Sequence, residues 1–173
     1  MNLPAVRDFL RTVRPLARFA DADLGPLAAH LKERHLRAGH MLVTEGEKGS
    51  EMYFVRRGEL AVLKNITGGV RQGGVEQVVA RVGAGEFVGE MALFDRRPRS
   101  ASIRAESDAE LFVLDRASVQ ALINMSPAAA AAFLRALSEE FIHRLRRSNL
   151  LVAELTSAVL EATGFHVETW RAA

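Results

Sequence analysis

The chain has no cysteine. That excludes a disulfide framework, a thiolate zinc site, an iron–sulfur cluster and a cysteine nucleophile. It also has no run of about 18 apolar residues free of charge, so no membrane span is expected. Met1-Asn2-Leu3-Pro4 lacks a basic stretch leading into a long apolar one. No signal peptide is expected from it, and a cytoplasmic location is the working expectation. Net charge is scarce too: 23 Lys+Arg against 21 Asp+Glu leave +2. So small a surplus does not mark a general nucleic-acid binder, which would need a local basic patch.

What is present suits a folded soluble protein. The chain has 173 residues, 49% of them apolar and 25% charged, enough to bury a core without covalent staples. Residues 1–36 are rich in Ala, Leu and Arg and read as an N-terminal helical segment. There Asp21 can cap a helix carrying Leu24, Leu27, Ala28 and Leu31. Residues 37–115 hold most of the glycines between short apolar runs. Met41-Leu42-Val43, Met52-Tyr53-Phe54-Val55, Leu60-Ala61-Val62-Leu63, Val78-Val79-Ala80 and Leu111-Phe112-Val113-Leu114 predict strands of an antiparallel sandwich or roll. Lys64–Gln77, with Gly68-Gly69 and Gly73-Gly74, reads as a solvated hairpin tip.

Residues 116–173 return to helix. Asp115 can cap a helix from Arg116 to about Asn124. Ser126 can cap a second, with Pro127 at the first position where proline is tolerated, running to about Ala162. On it Leu134, Ser138, Phe141, Leu145, Ser148, Val152, Leu155 and Val159 follow one another in alternating steps of four and three, a heptad seam. Such a helix is ~50 Å long, more than one small β domain covers. The seam therefore predicts a homodimer through this helix, the alternative being a helix laid on its own β core. The fold class is α+β: an antiparallel, jelly-roll-like β roll with N-terminal helices and two C-terminal helices, the last one long.

The chemistry gathers at Gly85-Glu86-Phe87-Val88-Gly89-Glu90-Met91-Ala92-Leu93-Phe94 and Asp95-Arg96-Arg97-Pro98-Arg99-Ser100-Ala101-Ser102. A strand ends, the chain turns at Gly89, and Glu90–Phe94 can form one helical turn whose free amides favour an anion. Arg99, held behind Pro98, can pair with a phosphate through two nitrogens, and Ser100 adds a hydroxyl. Glu90 would repel phosphate and suits a sugar hydroxyl instead. The pattern implies a ligand with one phosphate and a nearby hydroxyl. The spacing of Gly83, Gly85 and Gly89 is not that of a dinucleotide site, and no Gly-Lys-Ser/Thr of a P-loop follows. A plain β turn with a surface Arg–Glu pair is the alternative.

Gly89-Glu90-Met91-Ala92-Leu93 with Pro98-Arg99-Ser100-Ala101 resembles the phosphate-binding cassette of cyclic nucleotide-binding domains, of the catabolite activator and kinase regulatory-subunit type. Arg37-Ala38-Gly39, Glu45-Gly46-Glu47 and Met52–Leu60 are similar to the family's early strands, and the resemblance covers roughly residues 15–160. It implies cyclic AMP, or less readily cyclic GMP, as ligand and no cofactor. Arg99 would pair with the cyclic phosphate, Gly89, Glu90, Met91 and Ala92 would offer backbone donors, and Ser100 its hydroxyl. The Glu90 carboxylate would take the ribose 2′-hydroxyl. Val62, Ala80 and Val82 would line the pocket, and Arg144, Ser148 and Asn149 would meet the base. The resemblance further implies a regulatory module signalling through its last helix to a protein effector. Gly164–Ala173 is too short for a helix-turn-helix, so no DNA-binding module is expected. The basic run Arg144, Arg146 and Arg147 is read as a solvated helix face.

A purely structural dimer with a β-roll fold is one competing reading. A cupin-like metal enzyme is the other, because that fold too is a β roll. The five histidines, His30, His35, His40, His143 and His166, form no close ligand pair within the strands, and no catalytic triad is suggested. The chain is therefore expected not to be an enzyme.

Overall fold

The computed structural model describes residues 2–66 and 75–163. The chain divides into two compact units, Met1–Leu134 and Arg135–Ala173. The first opens with helix α1, Leu3–Thr12, a 3-10 turn at Arg14–Leu16 and helix α2, Asp21–Ala29. Asp21 is the first residue of α2 rather than its cap, which is Ala20; its carboxylate pairs with Arg11.

Among the described residues eight strands follow: β1 (Lys32–Leu36), β2 (Met41–Val43), β3 (Glu51–Arg57), β4 (Leu60–Ile66), β5 (Val75–Val82), β6 (Phe87–Val88), β7 (Ser102–Ala105) and β8 (Ala109–Asp115). The short helix α3, Met91–Phe94, lies between β6 and β7. Two antiparallel sheets result, in the orders β1-β8-β3-β6 and β2-β7-β4-β5. The first 36 residues are therefore not helical throughout. Lys32–Leu36 is a largely exposed strand at the edge of its sheet, where pairing with β8 replaces the apolar alternation that would have marked it. β4 and β5 extend their pairing out to Ile66↔Val75. The glycine pairs between these ends, like Gly164–Ala173, lie outside the described residues.

The two sheets close on a core of Leu42, Val43, Leu60, Val82, Ile103 and Ala105 from one and Tyr53, Val55, Val88, Ala109, Leu111 and Val113 from the other. Residues alternate across a strand, so Met52 and Phe54 leave that core on the opposite face, yet they too are buried. On that side the ring of Phe9, from α1, packs 5.2 Å from that of Phe112 on β8. Burial on both faces explains why β3 reads as a continuous apolar run.

Helix α4, Arg116–Met125, starts where expected: Asp115 accepts from the Ser118 amide at 2.7 Å. The second carboxylate oxygen of Asp115 takes the Lys32 ammonium at 2.7 Å. The bond from Lys32, then that from Ser118, holds its carboxyl down at about 2. Helix α5, Pro127–Thr163, is 37 residues of unbroken helix. Its first turns bury Ala129, Ala130 and Phe133. The described residues of the second unit are the rest of α5, braced by Arg135–Glu139 and Glu140–Arg144 pairs at 3.1 and 3.0 Å. On it Leu145, Val152, Leu155 and Val159 are 59–66% exposed.

Candidate functional site

Arg99 is the centre of the site, and two loops hold it by their main chains. Its amide donates to the Glu47 carbonyl at 2.8 Å, and its own carbonyl accepts from the Gly46 amide at 2.9 Å. Lys64 on β4 donates to the Ser100 carbonyl at 2.6 Å and pairs with Glu45. The segment carrying Arg99 and Ser100 is thereby stitched to residues 45–47 and to β4 before it enters β7.

The Arg99 guanidinium is half-buried. Its Nη1 donates to the carbonyls of Glu51 at 2.8 Å and Gly89 at 3.3 Å. Gly89 has φ +81°, and a Cβ there would stand 3.1 Å from that Nη1 and 3.2 Å from the Glu51 carbonyl oxygen. The turn thus needs glycine for its backbone conformation and for the approach of the arginine. Glu90 follows with its side chain buried, and then α3, in which Ala92 is buried and Met91 exposed. The Ala92 amide is already engaged, donating to the Gly89 carbonyl at 3.2 Å. Ser100 is exposed.

Val62, Ala80 and Val82 share one sheet face. Val62 is the cross-strand partner of both Ala80 and Ile103, and Val82 that of Leu60. Val62 packs against the core cluster that holds Val82 and Val88, the residue before Gly89. Val62 is only half-buried and Ala80 exposed. Arg144, Ser148 and Asn149 are exposed residues of α5 in the second unit, and Arg144 pairs with Glu140.

Two features of the site were not legible in its motif. Arg116, the first residue of α4, donates to the carbonyl of Leu93 at 3.2 Å and to those of Ala92 and Asp95, so it caps the C-terminal end of α3. The only sign of it in the sequence is its place beside the capping Asp115. Tyr53, the one tyrosine of the chain, lies under the arginine, with the Arg99 Cζ 5.8 Å from its ring centre. Its hydroxyl donates to the Glu51 carboxylate at 2.7 Å. Burial, then that bond, pushes the phenol up to about 12. An alkaline titration read by phenolate absorbance therefore reports Tyr53 alone. Its midpoint is expected near 12 in the folded protein, against about 10 when unfolded. The stability this adds is whole below the unfolded value and is lost as pH rises through the folded one. A native midpoint at the ordinary value would mean that the hydroxyl is solvated.

Among the described residues, no three His, Asp or Glu side chains are placed to hold a metal ion. The arrangement sets a guanidinium against a glycine turn, with a buried carboxylate next in the chain.

The family model of the cyclic nucleotide-binding domain matches residues 33–126. The chain belongs to that family. A regulatory subunit of cAMP-dependent protein kinase from Mycosarcoma maydis is 32% identical over 97 residues, 56% of this chain and 17% of that one. A cyclic AMP receptor protein from Thermus thermophilus is 32% identical over 122 residues, 70% of this chain and 52% of that one. A cyclic nucleotide-binding domain from Methylobacillus flagellatus superposes with a TM-score of 0.75 at 26% identity, over 88% of this chain and 83% of that one. The chain spans about half or less of the curated relatives' length. Within the family match lie Gly89, Glu90, Arg99 and Ser100, and also the strands that carry Val62, Ala80 and Val82.

Proposed function

We propose that the protein is a cytoplasmic sensor rather than an enzyme, one that binds a 3′,5′-cyclic nucleotide reversibly. In this reading Arg99 takes the cyclic phosphate with the Ser100 hydroxyl and the backbone of the Gly89 turn. Glu90 takes the ribose 2′-hydroxyl, and Val62, Ala80 and Val82 cover the apolar side of the ligand. The observation that carries the reading is the Arg99 guanidinium fixed against the Gly89 carbonyl, with the buried Glu90 next in the chain. The named relatives, a cAMP-dependent kinase subunit and a cyclic AMP receptor, support cyclic AMP as the ligand.

The signal passes through α5 to a protein effector, by a population shift: the ligand moves the helix only so far as it binds one helix position better than another. A parallel homodimer through Phe141–Val159 completes the module, supported by the exposed Leu145, Val152, Leu155 and Val159.

Base selection is modest. The Ser100 hydroxyl can meet the guanine amino group, so cyclic GMP is admitted. Ser148 or Asn149 can accept from the adenine amino group, and one such neutral bond is worth about 0.5–1.5 kcal/mol. Competition titrations are expected to show cyclic AMP roughly twofold to tenfold tighter. Equal affinities, or tighter cyclic GMP, would mean that these α5 residues do not read the base. At a hundredfold excess over Kd, cyclic AMP adds about 2.7 kcal/mol of stability, or roughly 5–10 °C in Tm for a chain of this size. A structural dimer without a ligand site shows no shift.

A further inference from the structure

We infer that Gly49 and Tyr53 are positioning residues for the nucleotide phosphate: they form a slot that sets the guanidinium of Arg99. The inference rests on the phosphate role proposed for Arg99. Nη1 is spent on the Glu51 and Gly89 carbonyls. That leaves the edge made by Nε and Nη2, the geometry that pairs with two phosphate oxygens at once. A Cβ on Gly49 would lie 2.5 Å from Nε, 2.6 Å from Nη2 and 2.8 Å from Cζ. It would press on that same edge, which packs against Gly49. Gly49 is not among the glycines with positive φ, so alanine suits its backbone. The three atoms nearest to such a side chain all belong to the arginine.

Tyr53 supplies the floor of the slot. Its ring attracts the cation, and its own position is fixed by the bond to the Glu51 carboxylate, which Arg34 approaches at 3.8 Å. Glu51 thus acts twice, its side chain holding the ring and its carbonyl holding the guanidinium. An arginine already fixed by three contacts gives up little rotamer freedom when a phosphate arrives. The sequence hid this role, because Gly49 reads as a loop glycine and Tyr53 as one residue of a core strand.

The test uses the full chain. Calorimetric titration with cyclic AMP is run on wild type, Gly49→Ala, Tyr53→Leu and Tyr53→Phe, each checked for fold by circular dichroism and melting. The ligand-free proteins are compared by the NMR resonance of the Arg99 Nε–H, assigned by its loss in Arg99→Lys. Gly49→Ala is expected to keep its fold, since the end of a flexible side chain gives way. It is expected to shift the Arg99 resonance and to weaken binding by about tenfold or more. Tyr53→Leu is expected to lose the ring-current shift and roughly tenfold in affinity, and Tyr53→Phe to recover most of both. If the wild type binds while Gly49→Ala and Tyr53→Leu match it within about twofold, the slot is overturned and the proposed function stands. If the wild type takes up neither cyclic AMP nor cyclic GMP, the proposed function falls, and the slot's part in phosphate capture falls with it.

Discussion

Arg99→Ala is expected to abolish the proposed cyclic-nucleotide binding nearly completely and to leave the fold in place. Losing the charged partner of a buried phosphate costs about 2–5 kcal/mol, which is roughly thirtyfold to several-thousandfold in Kd. The cost to folding is smaller. The side chain releases two carbonyl acceptors, at Glu51 and Gly89, which water can reach once the guanidinium is gone. The loop itself is held by the Arg99 amide and carbonyl, which alanine retains. Titration calorimetry with a parallel melting curve separates the two effects. Unchanged affinity would remove Arg99 from the site.

Placing aspartate at two positions of the α5 seam, Leu145→Asp with Leu155→Asp, converts the proposed dimer to monomers. Both leucines are more than 60% exposed, Leu145 at 62% and Leu155 at 66%, so neither change disturbs the core of its own chain. In a parallel dimer each would face its counterpart. Burying one leucine side chain contributes about 1.5–3 kcal/mol. The double substitution forfeits four such burials across the pair and sets like charges opposite one another. Sedimentation velocity reads the outcome. A wild type already monomeric would end the dimer reading, and the apolar face of α5 would then have to be covered within its own chain.

The parts legible in the sequence are those where a side chain's role shows in its own type or period. The apolar runs at Met52–Val55 and Leu111–Leu114 became central strands because burial demands apolar residues there whatever the register. The steps of four and three along α5 became a single helix, and Asp115 caps α4 because its short carboxylate reaches the Ser118 amide. The strand Lys32–Leu36 was illegible because its partner makes it a strand: Lys-Glu-Arg-His-Leu pairs residue for residue with Ala109–Val113. In the site, Arg99 and Glu90 announced themselves by charge beside a glycine turn. The Glu51 carbonyl could not, since every residue has one and only the fold decides which is aimed at a guanidinium.

The guanidinium of Arg116 has a mechanical consequence. It spans the carbonyls of Ala92, Leu93 and Asp95 from the first residue of α4. If α4 swung away while α3 stayed behind, three carbonyls at the end of α3 would lose their shared donor at once. The lower-energy path carries both elements together, as a crank carries its shaft. Any displacement of α3 is thereby coupled through Arg116 to α4, whose last residue, Met125, lies two residues before the start of α5.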